Sequence, residues 1–168
     1  MQKSKKLLWI ALGLLLLPAS AAVWLALHTM NPAMEYELGD ASNAPHVLIA
    51  TQGSEYKNAL VTDLVARLKA RPTRIKVIDV THLKDIHVDD WNAVVIVHTW
   101  QIGKPQPDAK AFVENKDVLR KLIVVTTSGS GEEKLPGVDA LSSASSMQDL
   151  QTIVDRVSRR LDAVLATS

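Results

Sequence analysis

The 168-residue chain contains no cysteine. Disulfides, iron–sulfur clusters and thiol catalysis are therefore excluded, while the redox compartment is left open. No charge of either sign dominates: 19 Lys and Arg stand against 18 Asp and Glu, a net charge of +1. Without a basic face or an acidic tail, nucleic acid and polyanionic partners have no support. The five histidines, His28, His46, His82, His87 and His98, show no metal-ligand spacing. G-x-S-x-G and P-loop motifs are absent, which removes the residues that hydrolase and NTPase readings need. No internal repeat or low-complexity tract is present.

What the chain does have begins with residues 7–27, LLWIALGLLLLPASAAVWLAL, which carry no charge. The run is long enough to cross a hydrocarbon core of about 30 Å as a helix. Ala19-Ser20-Ala21 resembles a signal-peptidase site, but the apolar run continues through Val23, Trp24, Leu25 and Leu27, longer than a signal h-region. An uncleaved signal-anchor is the expectation, kinked at Pro18. Lys3, Lys5 and Lys6 precede the span, and Glu35, Glu37 and Asp40 follow it with no Lys or Arg between. The positive-inside rule then holds residues 1–6 in the cytoplasm and sends the remainder across a plasma or inner membrane, into the periplasm if the source is Gram-negative.

Residues 28–45 are polar and read as a linker, and 46–168 as one domain. His46–Ala50 (HVLIA), Ala93–Val97 (AVVIV) and Lys121–Val125 (KLIVV) are fully apolar strands of the buried parallel kind. Arg74–Val80 is a further strand and Gly137–Leu141 a short last one. Between them, 55–70 carries Ala59, Leu60, Leu64, Val65 and Leu68 at helical spacing. A short helix is expected around Asp108–Asn115. A long amphipathic one is expected over Ser146–Leu165, with Ser146 and Asp149 as a capping box. Residues 81–90 read as a loop with at most one helical turn. Strands alternating with helices predict an α/β fold, a doubly wound five-stranded parallel sheet in the order 2-1-3-4-5, preceded by one transmembrane helix.

In such a sheet ligands bind at the carboxyl ends of the strands beside the switch point. This nominates the loops 51–58, 98–107 and 126–136. The set resembles the flavodoxin-like family, whose first loop reads T-x-T-G-N-T and holds the phosphate of FMN. Here the same stretch is Thr51-Gln52-Gly53-Ser54-Glu55-Tyr56. One hydroxyl is in register, and Glu55 adds a carboxylate; the alternative is that Ser54 caps the helix and Glu55 complements its dipole. The stretch VVIVHTWQIGKPQPDAKAFVEN is similar to the family's G-x-P-x-x-x-G-x-P segment at Gly103, Pro105 and Phe112. Trp100 stands where an aromatic would cover a flavin, or packs on the loop and binds nothing.

The resemblance implies FMN as cofactor, with Thr51, Gly53 and Ser54 at the phosphate. It sets Trp100 and Gly103 at the ring, and Thr127, Ser128 and Gly129 opposite. It implies electron transfer to a redox partner protein, with the flavin carrying the electrons and no side chain acting as a catalyst. The competing class is a cofactor-free interaction or scaffold module, which the divergent first loop favours. A quinone- or NAD(P)H-using reductase is a third class with no partner site in view. Receiver-domain chemistry is rejected, because its acidic and Lys positions here read Ala50-Thr51, His98-Thr99 and Thr126-Thr127.

Overall fold

The computed structural model describes residues 18, 20, 30–39 and 44–167. The chain divides into two compact units, Met1–Met30 and Asn31–Ser168. In the first, Pro18 and Ser20 are helical and exposed. The rest of the expected anchor, 7–27, lies outside the described residues, as does the cytoplasmic segment 1–6. Among the described residues no helix is long and apolar enough to cross a membrane.

The second unit is built on the strands β1 (Tyr36–Leu38), β2 (His46–Thr51), β3 (Arg74–Asp79), β4 (Ala93–Gln101), β5 (Lys104–Pro105), β6 (Leu122–Thr127) and β7 (Leu141–Ser143). Its α-helices are α1 (Glu55–Leu68), α2 (Pro107–Glu114) and α3 (Leu150–Leu165). Tight turns at Val80–Asp85, Val88–Asp90 and Lys116–Lys121 complete it. The sheet runs β1-β3-β2-β4-β6-β7, and β5 pairs only with β4. β3, β2, β4, β6 and β7 are all parallel. Numbered among themselves, these five strands have the predicted order 2-1-3-4-5, that of flavodoxin-like folds.

β-branched residues make the central strands because both of their faces are covered. Val47, Ile49, Val95, Val97 and Val125 pack with Leu60, Leu64, Ile153, Val154 and Val157 of α1 and α3. Leu48, Ala50, Val94, Ile96 and Val124 face the other way, against Ala109 and Val113 of α2 and Leu83. On the outside, α1 and the turn after it are joined to α3 by the ion pairs Arg67–Asp155 at 2.6 Å and Arg71–Asp162 at 2.7 Å.

Four expectations need correction. The linker read over 28–45 is part of the domain from Asn31: Tyr36–Leu38 pairs antiparallel with β3, and Asn31 bridges to Gly53. The last strand is Leu141–Ser143 rather than Gly137–Leu141, because Gly137 turns the chain at φ +84°. α3 starts at Leu150, not Ser146. The Ser146 hydroxyl accepts from the Gln148 amide inside the preceding turn, and Asp149 makes no side-chain cap bond. Finally, the loop expected over 98–107 is largely strand. His98–Gln101 prolong β4, which folds back on β5 as a hairpin.

Candidate functional site

Because β3, β2, β4, β6 and β7 are parallel, their carboxyl ends share one edge of the sheet. All three nominated loops lie there. A belt of buried polar side chains runs along it: Thr51, Gln52, Lys57, Asp79, His98, Thr99, Thr126, Thr127, Ser128 and Ser143. A polar group taken out of water needs a partner, and here the partners come from the neighbouring strand for Gln52, His98, Thr99, Thr126 and Thr127 and from loop residues for Thr51, Asp79 and Ser128.

The first loop is fixed at both ends. Ser54 has extended backbone and its hydroxyl accepts from the Lys57 amide at 3.2 Å, so it is the N-cap of α1. Exposed Glu55 occupies the first turn, where it complements the helix dipole. The Thr51 hydroxyl donates to the Gln52 carbonyl, and the Gln52 side chain accepts from the Thr99 amide at 2.8 Å, tying β2 to β4. The Gly53 amide donates to the Asn31 carbonyl at 2.7 Å. A Cβ on Gly53 would stand 2.5 Å from the Pro32 carbonyl oxygen and 2.9 Å from that of Asn31.

Residues Asn31–Leu38 thus form a strap laid across this loop. Carboxylates of the strap and sheet hold it in place. Asp79 accepts from the Ala33 amide at 2.7 Å and from the amide and hydroxyl of Thr81. Glu35 accepts from the Asp79 amide at 2.8 Å and pairs with His82. Burial acts to raise the Asp79 pKa, but the Ala33 and Thr81 donors outweigh it and hold the carboxyl below its ordinary value. The Asp79 amide is the main cause that lowers Glu35.

At the centre of the edge, His98 is fully buried. Its Nδ1 faces the Thr99 carbonyl, which only accepts, so Nδ1 carries the proton. Nε2 then accepts from the Thr126 hydroxyl at 3.0 Å, and that oxygen receives the Leu135 amide. Burial pushes the His98 pKa down to about 4; the Thr99 carbonyl opposes this and the nearby Lys57 charge adds to it. The imidazole is neutral and structural. Lys57 is 1% exposed, and burial lowers it to about 8. Beside them the Thr127 hydroxyl donates to the His98 carbonyl and lies 3.1 Å from that of Thr99. Tyr56, whose ring is buried, meets Ser143 at 2.8 Å.

The remaining nominated residues also have structural duties. Trp100 is half-buried in β4, opposite Pro105. Gly103 takes φ +69° in the turn that joins β4 to β5. The Ser128 hydroxyl accepts from the Gly131 amide at 2.9 Å, shaping the third loop, and Gly129 is exposed with open space about it. Among the described residues one buried side-chain polar atom has no hydrogen-bond partner, Thr73 Oγ1, and Thr73 immediately precedes β3, at the opposite edge. Among the described residues the carboxyl edge thus holds no buried side-chain polar atom without a partner, and the Gly53 amide of its first loop is bonded to Asn31. Of the first-loop amides, that of Gly53 is therefore closed to an FMN phosphate.

Sequence reasoning missed Asn31, Gln52, Lys57, Asp79 and His98. For Lys57 the signal existed: it shares the helical stripe of Val61, Leu64 and Leu68.

No known family model matches the chain. No curated protein matches it either. Among solved structures it is similar to a flavodoxin from the domain Archaea, at 10% identity and TM-score 0.49, over 71% of this chain and 98% of that one. It is also similar to the response regulator domain of Thermotoga maritima CheB, at 10% and 0.47, over 74% and 98%. A flavodiiron protein from Giardia intestinalis gives 11% and 0.45, over 73% of this chain and 37% of that one. The fold assignment rests on strand order and register, not on these likenesses.

Proposed function

We propose that the protein is a membrane-anchored interaction module that keeps the flavodoxin-like scaffold and works without FMN. Residues 7–27 are its anchor, and the domain from Asn31 onward lies on the extracytoplasmic side. The observation that carries the cofactor-free reading is the first loop: the Gly53 amide is bound to Asn31, and the Pro32 carbonyl oxygen lies 2.5 Å from where a Cβ on Gly53 would stand. The sequence supports the anchor through its uncharged run and the Lys residues before it.

A flavin titration separates this reading from the electron carrier that the resemblance implies. Full-length protein in detergent micelles is mixed with FMN, and both flavin absorbance after gel filtration and tryptophan fluorescence are followed. Trp100 is half-exposed beside the flavin site that the resemblance implies, so bound FMN would quench it. Colourless protein with unchanged emission is expected. Stoichiometric retained flavin would restore FMN-dependent electron transfer to a redox partner and sink the interaction-module reading.

A further inference from the structure

An antiparallel edge strand is ordinarily held by burying one apolar face. The strap Asn31–Leu38 is held otherwise. Six of its eight residues are exposed, Ala33 and Leu38 are half-buried, and Leu38 packs against the core. Backbone pairing with β3 covers only Tyr36–Leu38, and Asn31 adds one bond to Gly53. Carboxylates supply the other ties. Asp79 receives the Ala33 amide, Glu35 receives the Asp79 amide and pairs with His82, and Glu37 pairs with Arg74.

The strap is therefore fastened by groups that acid can neutralise. Asp79 Oδ2 accepts from Ala33 at 2.7 Å, while Oδ1 accepts from the amide and the hydroxyl of Thr81 at 3.0 and 2.7 Å. A proton on this carboxyl turns one acceptor into a donor and removes the charge that strengthens the rest. At 7% exposure, Asp79 has little water to replace a lost bond. The charges facing the pair come from the elements around it. His82, on the turn Val80–Asp85, attracts both carboxylates when protonated, and Asp79 repels Glu35. On β3, Arg74 holds Glu37 and Lys76 stands opposite it. Across the strap's other side, Asn58, Val61 and Thr62 of α1 and Thr51 and Val77 of the sheet are uncharged. Glu35 is held below its ordinary value chiefly by the Asp79 amide, and Asp79, against its burial, by the Ala33 and Thr81 donors. The ties are thus complete above the ordinary carboxyl range, about pH 4, and are lost as pH falls through the lowered values.

The sheet beneath is fastened differently. β2, β4 and β6 contain no Asp or Glu, and their joining surfaces are apolar. Segments with few buried apolar contacts open locally at lower free energy than such a core. We infer that the strap is an acid-released latch: neutralising Asp79 and Glu35 frees Asn31–Leu38 as a unit while the five parallel strands stay folded. The chain bends at Gly39, whose φ is +83°. Release uncovers the Gly53 amide and the outer edge of β3 at Ile75–Val77. The latch belongs to the domain alone and needs neither the anchor nor the cofactor-free reading.

The absence of cysteine makes the test direct. Met34→Cys on the strap and Thr62→Cys on α1, exposed residues that line one cavity, are spin-labelled together in the full chain in detergent micelles. One short inter-label distance is expected at pH 7. His98 titrates towards pH 4 as well, so the deciding arm stays at pH 7, where substitution removes the carboxylate charge and the imidazole is neutral. Glu35→Gln with Asp79→Asn is expected to replace the short distance by a broad, longer distribution. Glu35→Gln alone, at an exposed position, should raise the open fraction about tenfold. Circular dichroism should be unchanged in both. Without these substitutions, the short distance should be lost as pH falls below about 4, ahead of the circular dichroism. An open fraction unmoved by Glu35→Gln would overturn the latch, as would acid release that never precedes the loss of circular dichroism.

Discussion

A methyl group added to Gly53 would lie 2.5 Å from one backbone carbonyl oxygen and 2.9 Å from another. Both obstacles are backbone atoms of the strap, so neither can swing aside as a side chain would. Gly53 is not at positive φ; it is small because the strap passes so close. Gly53→Ala is therefore expected to lift Asn31 and Pro32 off the loop and to lose the 2.7 Å amide bond. The cost is about 1–3 kcal/mol, as for other insertions into packed sites. Urea denaturation measures the loss. Limited proteolysis reads the strap separately, with new cleavage expected between residues 31 and 38. Unchanged stability and unchanged cleavage would show that the strap is not held at this contact.

At the scale of elements, the hairpin β4–β5 presents a turn chemistry at odds with its sequence. Ile102 pays backbone strain for its position at φ +51°, and Asn tolerates that region. Ile102→Asn is expected to stabilise the domain by about 1 kcal/mol, read as a higher denaturation midpoint with an unchanged slope. A loss of stability would mean that the Ile side chain packs in the domain rather than projecting from it. The same hairpin shows why parts of the fold were legible and parts were not. His46–Ala50 and Ala93–Val97 read correctly because a strand covered on both faces is a continuous apolar run. His98–Gln101 extends the same strand, but His-Thr-Trp-Gln has no such run. Its polar groups are buried by pairing with Thr126, Thr127 and Gln52, which only the assembled sheet supplies. The strap was illegible for a related reason. Its three-residue strand and its ties to Gly53 and Asp79 use backbone groups and carboxylates, which leave no hydrophobic period. Of the first loop, the cap at Ser54 was readable from residue type; the closure over Gly53 was not, because its partner lies more than twenty residues away.

For the whole molecule, the two buried bases at the carboxyl edge set how stability follows pH. His98 is held neutral: its pKa falls from 6.5 to about 4 on folding. Between those values the unfolded chain binds more protons, so stability is fully present above pH 6.5 and is lost as pH falls towards 4. Lys57 moves in the same direction, from 10.5 to about 8. Between pH 8 and 10.5 the unfolded chain again holds more protons, so stability rises with pH over that interval. Each limb amounts to about 3 kcal/mol at most, since a tenfold change in proton affinity is worth about 1.4 kcal/mol. Tyr36 and Tyr56, raised by burial, work against the alkaline limb once pH passes 10. The profile expected from urea midpoints is thus a climb from pH 4 to 6.5, a plateau to pH 8, and a second climb to about pH 10. Lys57→Met should erase the second climb and leave most of the first, because burial, the main cause of the His98 shift, persists while the smaller push from the Lys57 charge is lost. A wild-type profile that is flat between pH 8 and 10 would mean that the Lys57 ammonium keeps its hydration in solution, and that the carboxyl edge is more open to water than its packing implies.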